Sequence, residues 1–272
     1  MIRTLKTLAT AAVMSGLAGV ISPPAFAKAA APAASVDPGQ SETKVSKKPY
    51  LRNIPKDAVF DVVVLGDSLA DGLYAGLYRL NRGNSQVKVT KKSKVNTGLV
   101  RSDRYDWNKA TKKIARSKKY QVAVVLLGLN DLQTFRTKGK RKHFKQKSWV
   151  ALYEQRLEKM IVDLKAANMA VYWVGIPITS PKRYQKEYAY MNNFYRKAAE
   201  KHGIKFVDTW SPLAQKNGGY SAFWKASSGK KKKIRTRDGV HFTPGGYEIL
   251  ATFVNNEMQR DIADVTGKQA SK

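Results

Sequence analysis

Cysteine is absent from the 272-residue chain, so no disulfide can brace it and no thiolate can act as nucleophile or metal ligand. Acids are scarce, with 20 Asp and Glu against 50 Lys and Arg, a formal net charge of +30. A surplus of that size attracts polyanions and says nothing about fold. Histidine is scarcer still, with three residues at positions 143, 202 and 241, so any imidazole chemistry has few places to be. Past the first 27 residues no apolar run approaches the roughly 20 residues that cross a bilayer. There is no internal repeat, no glycine-rich phosphate loop and no His, Asp and Glu cluster at metal-ligand spacing; neither cofactor nor metal is expected.

What is present begins with a leader. Arg3 and Lys6 precede an apolar stretch from Leu8 to Ile21, and Ala25-Phe26-Ala27 fits the small-x-small cleavage rule. The expectation is a signal peptide over 1–27, cut after Ala27, and a periplasmic or secreted protein with no transmembrane span once cut. Residues 28–49, rich in Ala, Pro, Ser and charge, read as a disordered linker. One folded domain is expected over 50–264, and a disordered tail over 265–272.

Within that domain, apolar runs alternate with helical periodicity. Val62 to Leu65 form a buried strand that Gly66-Asp67-Ser68 interrupts, and Leu69, Leu73, Leu77 and Leu80 then recur at helical spacing. Further strands are expected at Val87 to Val89, Val122 to Leu127, Ala170 to Ile176 and Lys205 to Val207. Helices are expected from Trp107 to Ser117, after a Ser148 cap, from Pro181 to His202, and from a Thr243 cap with Pro244 in its first position. The segment between Phe135 and Ser148 reads as a cationic loop, and Ser211 to Arg237 as a Gly-, Ser- and Lys-rich one. The pattern predicts an α/β fold, a three-layer α/β/α sandwich around a central, mainly parallel sheet of about five strands.

Candidate chemistry starts from Ser68, at a strand end, where ligands of parallel sheets bind. A serine there is equally suited to capping the helix that follows. His143 lies among lysines and arginines and is expected to be solvated, while His202, at a helix end, is expected to meet the last carbonyls. His241 alone lies in a loop, three residues after Asp238, where a carboxylate can fold back onto one imidazole nitrogen and leave the other for a serine. Asp67 and Asp131 are expected to satisfy loop N–H groups rather than to act as acids.

Four blocks in order, Gly66-Asp67-Ser68-Leu69, Gly98, Gly128-Leu129-Asn130-Asp131 and Asp238-Gly239-Val240-His241, resemble the signature blocks of the SGNH, or GDSL, hydrolase superfamily. They span nearly the whole domain. The stretch from Asp238 to Tyr247, with the leader, is similar to a secreted bacterial branch still labelled a domain of unknown function. The resemblance implies a flavodoxin-like arrangement with Ser68 as nucleophile, His241 as its base and Asp238 orienting the imidazole. It implies an oxyanion hole made by the backbone N–H groups of Ser68 and Gly98 and the side-chain amide of Asn130.

The expected activity is ester hydrolysis through an acyl-serine, with an O-acetylated envelope or extracellular polysaccharide as substrate. Alternatives are lipid or thioester acyl hydrolysis, O-acyl transfer, and a catalytically vestigial cationic protein that binds the envelope. The Lys230 to Lys233 run and the stretch from Arg136 to Lys147 read first as solvated basic surface, with an anionic envelope polymer as the partner they would attract. Nucleic acid is disfavoured because no recognition motif is present. Tyr184, Tyr188 and Tyr195 recur on one helix face and are expected in the core rather than stacking on sugar.

Overall fold

The β-branched run before Ser68 forms the middle of a sheet that organises everything after it. A computed structural model of the chain describes residues 49–267 apart from 56, 58, 138 and 227. The expected leader, and the linker except for Pro49, lie outside those residues.

In chain order the elements are β1 (Phe60–Gly66), α1 (Ser68–Asn81), β2 (Val87–Ser93), α2 (Trp107–Arg116), β3 (Val122–Leu126), β4 (Phe135–Thr137) and β5 (Lys140–Lys142). There follow α3 (Lys147–Ala166), β6 (Ala170–Val174), α4 (Lys182–His202), β7 (Lys205–Val207), the single turn α5 (Trp210–Leu213), β8 (Phe223–Lys225), β9 (Lys231–Lys233) and α6 (Pro244–Thr266). Five strands make one sheet in the order β2-β1-β3-β6-β7, and every pairing in it is parallel. Successive side chains of a strand leave opposite faces of the sheet. Val63, Leu65, Ala123, Val125, Val171 and Trp173 accordingly enter one apolar layer, with the buried sides of α3 and α4. Val62, Val64, Val124, Tyr172 and Val174 enter the other, under α1 and α6. The expected α/β/α sandwich is the observed one.

Several local expectations are corrected. The cationic stretch after Phe135 is not an open loop: it folds into the antiparallel hairpin β4–β5. The Lys-rich segment before Asp238 likewise contains the hairpin β8–β9. All four strands are too short and too polar to give a period-2 apolar signal, which is why the sequence hides them. Ser148 does not cap α3, whose cap position lies two residues earlier at Gln146; the Gln146 side chain accepts from the N–H of His143 and shapes the turn into the helix. The His202 ring does not meet the helix end: its Nε2 lies 3.7 Å from Glu158 of α3. The C-terminal helix runs through Val265 and Thr266, past the expected boundary at 264, because Val265 still packs on the apolar layer. Residues 268–272 lie outside the described part. No helix among the described residues is long and apolar enough to cross a membrane.

The domain start is held by Tyr50, whose hydroxyl donates to the carbonyl of Val171 and accepts from the N–H of Lys205, tying the entering chain to β6 and β7. Thr243 caps α6, accepting from the N–H of Gly246 at 3.1 Å, with Pro244 at the first position.

Candidate active site

The C-terminal ends of β2, β1 and β3 are neighbours, and the chain leaves β1 toward β2 on one side but returns to β3 on the other. Ligands of open parallel sheets bind at such a reversal, outside the carboxyl ends of the strands. Ser68 stands there as the first residue of α1, directly after β1. It does not cap the helix. Asp67 does so, its carboxylate accepting from the N–H of Leu69 at 3.0 Å, and the serine hydroxyl is left free for another partner.

That partner is His241, whose Nε2 lies 2.8 Å from Ser68 Oγ across 173 residues of chain. Its Nδ1 lies 2.6 Å from Asp238 Oδ2. A carboxylate can only accept, so Nδ1 carries the proton and Nε2 offers the lone pair that faces the serine. Asp238 Oδ1 accepts from Thr236 Oγ1 and from the N–H groups of Val240 and His241, at 2.7, 2.9 and 3.0 Å. Partial burial opposes ionisation of Asp238, but the bonds from His241, Thr236 and the two N–H groups outweigh it and hold the carboxyl well below its ordinary range.

The loop that carries this pair is closed on itself, with the Thr236 N–H donating to the His241 carbonyl at 3.0 Å. Gly239 adopts φ +65°, and a Cβ there would stand 2.1 Å from Ser180 Cβ, so a side chain is excluded both by conformation and by space. A second anchor escaped the sequence reading. Arg235 is buried, donating to the carbonyls of Val240 and Ile178, each at 2.6 Å, and stacking over Phe242 at 3.5 Å from the ring centre. Burial lowers its pKa to about 10, still charged at neutral pH. It straps the loop beside His241 to the segment following β6. Nothing in its surroundings in the sequence, Lys230 to Arg237, separates it from the exposed cations around it.

The three expected oxyanion donors follow the neighbouring strands β1, β2 and β3. Among the described residues no acceptor is bonded to the N–H of Ser68 or of Gly98. The Asn130 amide donates one hydrogen to the Thr97 carbonyl at 3.0 Å, which orients the group and leaves its other hydrogen available. Asp131 is wholly buried and accepts from the N–H groups of Leu99 and Val100, at 3.0 and 2.9 Å, and from the hydroxyl of Tyr153 at 3.0 Å. Tyr195 extends the chain, its hydroxyl 2.8 Å from that of Tyr153. Asp131 therefore clamps the β2 loop to the β3 loop. Gly98 is required by this clamp, since a Cβ would meet Asp131 Oδ1 at 2.1 Å.

Asp67 ties the start of α1 to the same β3 loop, accepting from Leu69 N on one oxygen and from Leu129 N at 3.1 Å on the other. Both aspartates thus satisfy loop N–H groups as expected. Burial raises both carboxyls, Asp67 to about 7, against the pull of those N–H bonds. Of the remaining expectations, Tyr188 and Tyr195 are core, with Tyr184 packed at their edge. The His143 ring is exposed, 3.2 Å from Thr134 Oγ1. Among the described residues no group of three His, Asp or Glu is placed to hold a metal ion.

Residues 61–257 match the family model described as "Protein of unknown function (DUF459)". No curated protein matches the chain. Among solved structures it is similar to a GDSL-like lipase from Bacteroides thetaiotaomicron, at 15% identity and a TM-score of 0.55, covering 77% of this chain and 92% of that one. It is similar also to an α/β hydrolase enzyme from the metagenome of Lake Arreo, Spain, at 14% identity and a TM-score of 0.53, covering 72% and 94%. A catalytic mutant of an acetylxylan esterase from Geobacillus stearothermophilus matches at 14% identity and a TM-score of 0.51, covering 75% and 94%. At these identities the likeness establishes the fold.

Proposed function

The chain belongs to the DUF459 family, on the fold of the GDSL-like lipases, and from that premise we propose that it is a serine ester hydrolase working through an acyl-serine. One observation carries the reading: a serine hydroxyl, an imidazole and an ionised carboxylate lie in line at 2.8 and 2.6 Å at the carboxyl end of a parallel sheet. Ser68 Oγ attacks the acyl carbon and its proton passes to His241 Nε2. The Ser68 and Gly98 N–H groups and the Asn130 amide receive the charge that develops on the carbonyl oxygen. The C–O bond to the alcohol then breaks, and the imidazolium returns its proton to the leaving oxygen. Water, deprotonated by the same imidazole, releases the acid and restores the serine.

The substrate favoured is a small O-acyl group, such as acetyl, on an envelope or extracellular polysaccharide. The cationic hairpins beside the site, the expected leader and the acetylxylan esterase among the similar folds support it. In the test, mature protein hydrolyses a short-chain aryl acetate, and Ser68→Ala abolishes turnover with an unchanged far-UV spectrum. Wild-type protein with no turnover, or full turnover in Ser68→Ala, overturns the reading.

A further inference from the structure

The strongest unassigned feature is a polar cleft of about 670 Å³ whose walls are the continuations of the two oxyanion loops. On one side Val100 and Arg101 follow Gly98, and on the other Leu132, Gln133 and Thr134 follow Asn130. Gln133 is joined to the site directly, its amide donating to the Asn130 carbonyl. Three guanidinium groups line the cleft, from Arg101, Arg136 and Arg156, against one carboxylate, Asp103, which Arg101 engages through two nitrogens.

Arg156 is half-buried, stacked over Phe135 at 4.8 Å, and its Nη1 donates to the carbonyls of Leu99 and Val100 at 2.5 and 3.3 Å. Arg136 stands directly opposite Arg141 in the hairpin β4–β5. Like charges facing each other across a strand pair destabilise it. Among the described residues none of Arg136, Arg141 and Arg156 has an acidic partner within ion-pair distance. The cleft therefore holds three guanidinium groups against one lining carboxylate; Asp106 and Asp131 also act on Arg156 at longer range, and Arg136 is the cation left without a carboxylate, a forked donor that carboxylate and phosphate both fit.

The geometry points to this cleft as a subsite for an oxyanion group, a carboxylate or phosphate, carried by the sugar next to the one that bears the ester. The inference rests on the proposed hydrolase reading, which it deepens by naming an acidic glycan as substrate. The guanidinium groups hold the neighbouring acidic sugar, and the adjoining oxyanion loops then receive the carbonyl of the ester.

The test has a binding arm and a kinetic arm. Full-length mature Ser68→Ala protein is titrated with oligouronate, with a sugar-phosphate oligomer and with neutral xylo-oligosaccharide of equal length. An acidic oligomer is expected to bind at least tenfold tighter than the neutral one, and whichever acid does so identifies the source of the anion. In the kinetic arm, kcat/KM is compared for an acetylated oligomer of that acidic class and for acetylated xylo-oligosaccharide. The ratio favours the acidic ester, and Arg136→Gln lowers it fivefold or more. Arg141→Gln removes the same charge from the hairpin but does not line the cleft, and it lowers the ratio less. Equal losses in the two variants, or no preference for an acidic oligomer, overturn the subsite. Loss of aryl-acetate turnover in the wild type overturns the hydrolase reading alone, because the binding arm does not depend on turnover.

Discussion

At Ser68 the chemistry depends on a division of labour between neighbours. Had the serine capped α1, its hydroxyl would be committed to a backbone N–H; Asp67 takes that bond, and Ser68 Oγ faces His241. Asn130 shows the same economy, its amide held in place by one hydrogen with the other left unbonded, as the proposed oxyanion role requires. Asn130→Ala is therefore expected to lower kcat by roughly 100- to 1,000-fold with KM little changed, read from steady-state hydrolysis of an aryl acetate. Asp67 bears on stability as well. Its pKa in the folded protein is about 7, above the ordinary value of 3.8, so the folded state binds that proton more tightly than the unfolded one. The resulting contribution is fully present below about pH 4 and is lost as pH rises through about 7. The melting temperature should fall between about pH 4 and pH 7 and level off above, and Asp67→Asn should flatten that slope even though it lowers stability overall; an equal slope in the variant would refute the assignment to Asp67.

Between the elements, the site is held by straps whose side chains have no part in the chemistry. Asp131 clamps the loops after β2 and β3, and Arg235 joins the loop of Asp238 and His241 to the segment after β6. A misplacement of about 1 Å can cost some 100-fold in rate. Arg235→Met is expected to reduce kcat by about that factor with KM nearly constant, and Arg235→Lys to recover part of it. A purely structural role would instead show as less active protein at unchanged kcat per active site, counted by serine titration. Gly98 stood out in the sequence only through the resemblance of the signature blocks; the structure adds that its missing Cβ leaves room for Asp131. Arg235 was not legible, because burial and carbonyl partners, not residue type, separate it from its Lys-rich surroundings.

For the whole molecule, two apolar layers share one five-stranded sheet, so neither can come apart without exposing the strands of the other. Leu157 of α3 is buried in one layer and Leu250 of α6 in the other. Leu157→Ala and Leu250→Ala are each expected to destabilise by about 2–5 kcal/mol and to shift a single denaturation midpoint. Separate transitions for the two layers would contradict this account. The charge of +30 is concentrated partly on two hairpins that adjoin in sequence the loops of Asn130 and of Asp238, so the surface field would act on a substrate of the proposed site.

The alternation of apolar runs and helical periodicity determined the α/β class from sequence alone, because burial on both faces of a parallel strand demands a continuous run of Val and Leu. The spacing within Asp238 to His241 likewise determined a local carboxylate and imidazole pair. What only the tertiary structure decided is adjacency. That β2 and β3 flank β1, bringing Gly98, Ser68 and Asn130 to one edge, follows from strand order, which local pattern does not encode. That Asp67 rather than Ser68 caps α1, and that Arg235 is buried among carbonyls, follow from packing between segments far apart in the chain. Short-range periodicity records which side of an element is apolar; which elements meet is settled by the free energy of burying all those sides at once.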